Sequence, residues 1–327
     1  MKPRSDKLKL GKPRILLTTG DPNGIGPEII LKIFSNKKIA SAYDLYVIGS
    51  KIVFDQYSSQ LKLTRIQPDK IIDIAKQKQI ALSPGKADRA AGKLSGDAVK
   101  KAIELCMDGK FDAMVTLPIS KEAFNKAGFD YPGHTEMLNK MAGSDSTSMI
   151  MYSSNLILSL ITVHIPLSYV NKKITGKAII KKVISFNNSL VKDFKIKLPR
   201  IALLALNPHA GDGGKLGDTE LRIISPAVDI LLEAGFKIEG PFPADGFFAS
   251  KAYKKFNGTI AMYHDQGLIP FKMISKDKGV NFTAGIDIIR TSPNHGTGFD
   301  IAGKGIANPN STIEAIKLAA KLIPNKN

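Results

Sequence analysis

The feature that most constrains this chain is a repeated grammar in which a short apolar run and an amphipathic helical stretch alternate. Arg14, Ile15, Leu16, Leu17, Thr18 and Thr19 read as a buried strand, Gly20 to Gly26 as a glycine-rich turn, and Pro27 to Phe34 as a helix with proline at its first position. The pattern returns as a strand at Leu45 to Ile48 with a helix at Lys51 to Leu61, and as a helix at Ala98 to Met107 with a strand at Ala113 to Leu117. It continues through strands at Arg200 to Leu206 and Thr259 to Tyr263, and helices around Lys177 to Leu190, Leu221 to Ala234 and Thr312 to Leu322. Such alternation predicts an α/β fold. Ser148 to Tyr152 and Leu156 to Val163, split by Ser153, Ser154 and Asn155, predict a hairpin, so an antiparallel element interrupts the pattern in the middle of the chain. A length of 327 residues favours two domains, and without an internal repeat or a low-complexity linker these are expected as interleaved lobes.

Composition narrows the partners. With 43% hydrophobic residues the chain can bury sizeable cores. No apolar run approaches the roughly 18 to 20 residues of a membrane-spanning helix, so a soluble protein is expected. The basic start, Met1 to Lys7, leads into Leu8, Lys9, Leu10, Gly11 and Lys12, not into an apolar signal core, and the expected location is the cytoplasm. The single cysteine, Cys106, shares helical spacing with Val99, Ala102 and Ile103 and reads as packing. A net charge of +18 raises nucleic-acid binding as a possibility, but only seven of the 47 basic residues are arginine, tryptophan is absent and aromatics make up 7%. Base recognition and strand stacking need those residues, so a solvated lysine surface that attracts small anions is the better reading.

The chemistry gathers on histidines. Ile161 to Val163 lead into His164, Leu203 to Leu206 lead through Asn207 and Pro208 to His209, and Ile260 to Tyr263 lead to His264. Each follows an apolar strand-like run, and the carboxyl ends of strands form the rim where α/β folds bind ligands. Three neutral imidazoles converging there would form a divalent-metal site with open positions; three unrelated loop histidines would give the same spacing, and no HExxH motif decides between them. His134 precedes Thr135 and Glu136 at the start of a helix through Ala142, where free amides suit an anion or merely an ordinary cap. His295 lies in a glycine-rich loop that is unreadable alone. Gly24 to Ile29 lacks the third glycine of a dinucleotide fingerprint, and Gly298 to Lys304 spells GxxxxGK with Gly305 where a P-loop needs Ser or Thr, so neither nucleotide motif is complete.

Several segments together closely resemble the 4-hydroxythreonine-4-phosphate dehydrogenase family of pyridoxal phosphate biosynthesis: GDPNGIGPEI (Gly20 to Ile29), YPGHTEML (Tyr131 to Leu138), HIPL (His164 to Leu167), NPHAGDGG (Asn207 to Gly214), YHDQGLIPFK (Tyr263 to Lys272) and IRTSPNHGTGFDIAGKGIANP (Ile289 to Pro309). The resemblance covers almost the whole chain. It implies a two-lobed α/β/α fold of the isocitrate/isopropylmalate dehydrogenase type, which is not a Rossmann fold. Residues 1–123 with 270–327 would form the first, NAD-side lobe and residues 124–269 the second. It makes His164, His209 and His264 ligands of one divalent ion (Zn, Mg, Co or Mn), with His264 supplied by the neighbouring subunit of a homodimer. It makes His134, Thr135, Lys272, Asn281 and Arg290 substrate contacts, and leaves Asp245 and Asp265 as candidates for the base. The implied reaction is oxidation of 4-phosphohydroxy-L-threonine by NAD (or NADP) with decarboxylation to 3-amino-2-oxopropyl phosphate. A paralogue acting on D-threonate or D-erythronate 4-phosphate, and a non-catalytic lysine-rich nucleic-acid binder, are the alternatives. Two positions depart from the family pattern: Leu117 follows Thr116 where glycine is usual, and Asn294 precedes His295 where aspartate is usual.

Overall fold

The computed structural model describes residues 11–75, 81–131, 134–143 and 147–324, with the side chains of 134–136 outside the description. The chain divides into two compact units, one within Met1–Thr147 and Ile286–Asn327, the other Ser148–Gly285.

In the first unit β1 (Arg14–Thr18) leads into α1 (Gly26–Ser35) and α2 (Lys37–Ala42), β2 (Asp44–Gly49) into α3 (Lys51–Leu61), and β3 (Ile71–Asp73) into α4 (Arg89–Met107). Then come β4 (Ala113–Thr116), α5 (Lys121–Lys126) and α6 (His134–Met141). The second unit contains the predicted hairpin, β5 (Ser148–Tyr152) and β6 (Ile157–Leu160), then α7 (Leu167–Lys173), α8 (Gly176–Lys192) and β7 (Arg200–Leu204). It continues with α9 (Ser225–Glu233), β8 (Lys237–Phe242), α10 (Ala244–Ala249), β9 (Gly258–Ala261), α11 (His264–Ser275) and β10 (Val280–Ala284). The chain then returns to the first unit with β11 (Ile289–Pro293) and α12 (Asn310–Leu322).

The first unit's strands run in the order β3-β2-β1-β4-β11, all parallel. Parallel strands covered on both faces should be apolar in their interior, and β1 from Ile15 to Leu17 and β4 from Ala113 to Val115 are. Leu16, Ile48, Val99, Ile103, Met114 and Phe124 share one core with Cys106. Cys106 is 8% exposed and burial pushes its thiol up to about 12, so it is a packing residue.

In the second unit β10, β5 and β6 pair antiparallel, with Ile150 opposite Phe282 and opposite Ser159, and β6, β9, β7 and β8 continue parallel. The fold is thus α/β with an antiparallel element. The seams between units fall at 147/148 and 285/286, later along the chain than 123/124 and 269/270. The reason is pairing: β10 is hydrogen-bonded to β5, which keeps α11 and β10 in the second unit, while α5 and α6 stay with the first. Among the described residues no helix is long and apolar enough to cross a membrane.

Candidate active site

In the second unit the three strand-end histidines follow neighbouring parallel strands, β6, β9 and β7. The strand ends are welded together beyond the last ladder residues. The Ile161 and Thr162 amides donate to the Ala261 and Met262 carbonyls at 2.9 and 3.1 Å, and the Thr162 hydroxyl donates to Met262 O at 2.7 Å. His164 and His264, two residues further on, therefore lie side by side, with ring centroids 5.7 Å apart and planes tilted by 45°. Both rings line a cleft of about 360 Å³, together with Leu167, Val170, Tyr263 and Asp265. The Asp265 carboxylate sits 2.7 Å from His264 Nδ1, which selects the tautomer with its proton on Nδ1 and its lone pair on Nε2.

His209 is on the third edge position. It is exposed, on a turn whose backbone is left-handed from His209 to Gly213. Gln266 ties this edge to the other two: its side-chain oxygen accepts from the Met262 amide at 2.7 Å and its amide donates to Ala205 O at 2.6 Å. Asp245, exposed in the first turn of α10 just past β8, extends the same edge. Within one chain, among the described residues, no three His, Cys, Asp or Glu side chains gather closely enough to hold a metal. The structure brings His164 and His264 together and leaves His209 apart from them.

Lys272 and Asn281 lie in the same unit. Lys272 is exposed on the face of α11 that also carries Asp265, Ile269 and Met273. Asn281, in β10 opposite Met151, has its side-chain oxygen buried without a hydrogen-bond partner. An orphaned acceptor of this kind suits a donor from a bound molecule.

The first unit presents its own carboxyl edge. There the turn after β1 is stitched to its neighbours through Asn23, whose side chain donates to Asp88 Oδ2 at 2.6 Å and accepts from the Ser83 amide at 2.8 Å. Asp21 is fully buried, accepts from the Asn23 amide at 2.9 Å through Oδ1, and leaves Oδ2 unpartnered. Burial raises its pKa to about 6; the Asn23 amide opposes the rise, Asp88 adds to it and the Ser120 amide opposes it. Tyr57, whose hydroxyl donates to Pro22 O at 2.9 Å, is pushed up to about 12 by burial and then by Asp21 and Glu28. The loop after β11 reaches the same edge, where Thr297 O accepts from the Ile25 amide at 2.9 Å. There His295 Nε2 is buried without a partner, and burial lowers the pKa of its ring.

Arg290, assigned to the substrate by the resemblance, lies inside a strand. It is the second residue of β11, level with Met114 of β4, fully buried, and its Nε donates to Thr116 Oγ1 at 2.8 Å. The run Arg290, Thr291, Ser292 looks polar enough to end a strand, but Thr116 Oγ1 accepts from the Arg290 Nε and Ala315 O accepts the Thr291 hydroxyl, so the strand continues through it. His134 and Thr135 open α6 as expected, and their side chains lie outside the described residues. Leu117, at the first departure from the family pattern, is fully buried with its Cβ against Gly20. Asn294, at the second, donates its amide to Ser311 Oγ at 2.9 Å.

Sequence reasoning missed Gln266, Glu28 and Glu220, three buried or half-buried side chains that hold strand-end loops. It could not have found them, because each acts on backbone groups brought near only by the fold. A larger hollow, of about 920 Å³, opens at the opposite, amino edge of the first unit. Two of its cations, Arg14 and Lys70, are occupied by Asp44 at 3.8 and 2.7 Å, and volume there does not coincide with chemistry.

Comparison with known proteins adds the family. Residues 32–319 match the model of pyridoxal phosphate biosynthetic protein PdxA. The chain is similar to 4-hydroxythreonine-4-phosphate dehydrogenase of Prosthecochloris aestuarii, 42% identical with 94% of this chain and 97% of that protein covered. It is similarly related to the enzyme of that name from Bacteroides thetaiotaomicron, 40% identical over 98% of this chain and 91% of the relative. Among solved structures it resembles 4-hydroxythreonine-4-phosphate dehydrogenase of Klebsiella pneumoniae, with a TM-score of 0.83, 34% identity, and 96% and 100% of the two chains covered.

Proposed function

The chain belongs to the pyridoxal phosphate biosynthetic protein PdxA family, and we propose that it is a dehydrogenase that oxidises 4-phosphohydroxy-L-threonine with NAD and decarboxylates the product to 3-amino-2-oxopropyl phosphate. The observation that carries this reading is the placement of His164, His264 and His209 past the ends of three adjacent parallel strands. The donor set fits a divalent cation: neutral imidazoles, one of them with its tautomer set by Asp265 so that Nε2 is available. Zinc, cobalt, manganese and magnesium are the ions considered, and His164, His209 and His264 are the residues that would hold one of them. A divalent ion there supplies Lewis acidity toward the substrate hydroxyl and the ketone oxygen derived from it.

Within one chain, among the described residues, no three His, Cys, Asp or Glu side chains gather to hold a metal, which supports a set completed by His264 of a neighbouring copy. Leu167, which lines the cleft, and Tyr169, Ile269 and Met273 are large apolar side chains left exposed on α7 and α11, as an interface between copies would require. We assign the working form as a cytoplasmic homodimer.

The first unit suits the nicotinamide cofactor, because its carboxyl edge offers the orphaned His295 Nε2 at the position where open parallel sheets bind ligands. NAD supplies the hydride acceptor. The chain's own residues then do the rest. Lys272, exposed on the helix that carries His264, is assigned to the phosphate, and Asn281 offers its free acceptor to the substrate. His134, Thr135 and Arg290 complete the assigned contacts. Asp265 is engaged with His264, so Asp245, exposed at the start of α10, is the better-placed base to take the hydroxyl proton.

The test is NADH and carbon dioxide formation by the metal-loaded protein with 4-phosphohydroxy-L-threonine, compared with D-threonate and D-erythronate 4-phosphates. Turnover of the amino-bearing substrate that is lost in His164→Ala, His209→Ala and His264→Ala is expected. Preferential turnover of the threonates would move the assignment to the paralogous activity, and no turnover of any of them would end it.

A further inference from the structure

The turn that carries His209 is unusual in its backbone. Five successive residues, His209, Ala210, Gly211, Asp212 and Gly213, have φ of 50, 54, 84, 43 and 64°. Left-handed backbone is unfavourable for L-residues because Cβ crowds the following carbonyl, and three of these five carry a side chain. Such a turn persists only where its surroundings over-determine it.

What surrounds it is Glu220. The residue is 2% exposed, and its carboxylate sits at the end of β7 in place of a further strand partner. One oxygen accepts from the Leu206 and Asn207 amides at 2.8 Å each, and the other from the Asn207 side-chain amide at 2.9 Å. The turn closes over this group so tightly that a Cβ on Gly211 would lie 2.9 Å from Glu220 Oε2 and 2.6 Å from Gly217 O. Leu216 returns the chain by donating to Gly211 O at 3.0 Å. Glu220 itself opens a single π-helical turn, Glu220–Ile224, that continues into α9, a wide turn of a kind often found beside functional sites. The neighbouring Thr219 is fixed by its hydroxyl on Asn171 Oδ1 at 3.2 Å.

We propose that Glu220 is the positioning residue for His209: its buried carboxylate gathers the Leu206–Asn207 backbone into the left-handed turn and so presents the imidazole at the edge shared with His164 and His264. The inference rests on the reading of His209 as a metal ligand. A ligand held this way is aimed before any ion arrives, and groups that orient a ligating histidine typically contribute about 10- to 100-fold in metal affinity.

The experiment is titration of metal-stripped, full-length protein with Co²⁺, followed by calorimetry and by the visible ligand-field bands, which report the number and geometry of ligands. Glu220→Ala is expected to weaken Co²⁺ binding about 100-fold and change the band shape, and Glu220→Gln to weaken it by about 10-fold. The amide can still accept from the two backbone N–H groups but not from the Asn207 side chain as it stands. His209→Ala is the control that separates the two ideas. If it leaves affinity and bands unchanged, the metal reading of His209 fails. If it abolishes them while both Glu220 variants bind like wild type, the positioning role alone fails. Should Glu220→Ala not fold, Glu220→Gln decides: wild-type affinity and bands would overturn the proposal.

Discussion

The turns after β1 and β7 solve one problem in two ways. Each must bury a carboxylate beneath a strand-end loop, Asp21 in the first and Glu220 in the second. Glu220 uses both oxygens and accepts three N–H groups. Asp21 is given the Asn23 amide on Oδ1 and a weaker contribution from the Ser120 amide, has no close partner on Oδ2, and faces a second carboxylate, Asp88. The difference teaches that burial does not by itself decide what an acid contributes to stability. The number of donors does, because each replaces part of the hydration lost on burial.

Glu28 gives the strongest way to break this comparison, since it resembles Glu220 in being fully buried with several donors. It accepts from the Gly305 and Ala307 amides at 3.1 and 2.7 Å and from Lys32 at 2.7 Å, tying α1 to the loop before α12. Glu28→Ala would leave the two buried amides without their acceptor while Lys32 keeps the Gly305 and Ala307 carbonyls, and should lower unfolding stability in urea by about 2–4 kcal/mol. A loss below about 1 kcal/mol would mean that donor number is not the deciding quantity.

Asp21 should behave in the opposite sense. Its pKa is about 6 in the folded chain against 3.8 as the ordinary value. A raised carboxyl pKa means that the folded state favours the protonated form. The Asp21 contribution to stability is therefore least unfavourable below about pH 4, worsens as pH rises from about 4 to 6, and carries its full penalty above that. Two units correspond to about 3 kcal/mol. Asp21→Asn keeps the acceptor for the Asn23 amide and removes the charge, so it should stabilise the protein by up to about 3 kcal/mol at pH 8, with the gain shrinking toward pH 4. Equal stability of variant and wild type across that range would show that Asp21 is not strained by burial.

These carboxylates also mark where the sequence stopped being legible. The α/β grammar, the hairpin at β5 and β6, and the packing role of Cys106 could be read directly, because they depend on local periodicity. The strand-end placement of His164, His209 and His264 was visible for the same reason. That β6, β9 and β7 are neighbours was not, since crossovers rearrange strand order and no spacing along the chain encodes it. Nor was the burial of Arg290 legible, because Arg, Thr and Ser in succession look like a loop until Thr116 and Ala315 supply their partners. Glu220 and Gln266 are polar residues in ordinary polar surroundings of the sequence, and only the fold shows which backbone groups they serve.

The smallest effect sharpens the comparison inside one turn. Gly211 and Gly213 both have positive φ, 84 and 64°, so alanine at either incurs the left-handed penalty of about 1–2 kcal/mol. Their surroundings differ. A Cβ at Gly213 meets nothing within 4 Å, whereas one at Gly211 runs into the Gly217 carbonyl and the Glu220 carboxylate. Gly213→Ala should therefore cost about 1 kcal/mol and leave Co²⁺ binding as it was, because backbone strain alone is added at a point beyond His209. Gly211→Ala should cost more and should also weaken Co²⁺, because the new methyl can be accommodated only by moving the carboxylate or the chain that closes over it. Measuring urea unfolding and Co²⁺ affinity for both variants separates strain from template. If the two alanines were equivalent in both measurements, the turn would be held by its own backbone, and the contrast between Glu220 and Asp21 would lose its structural basis.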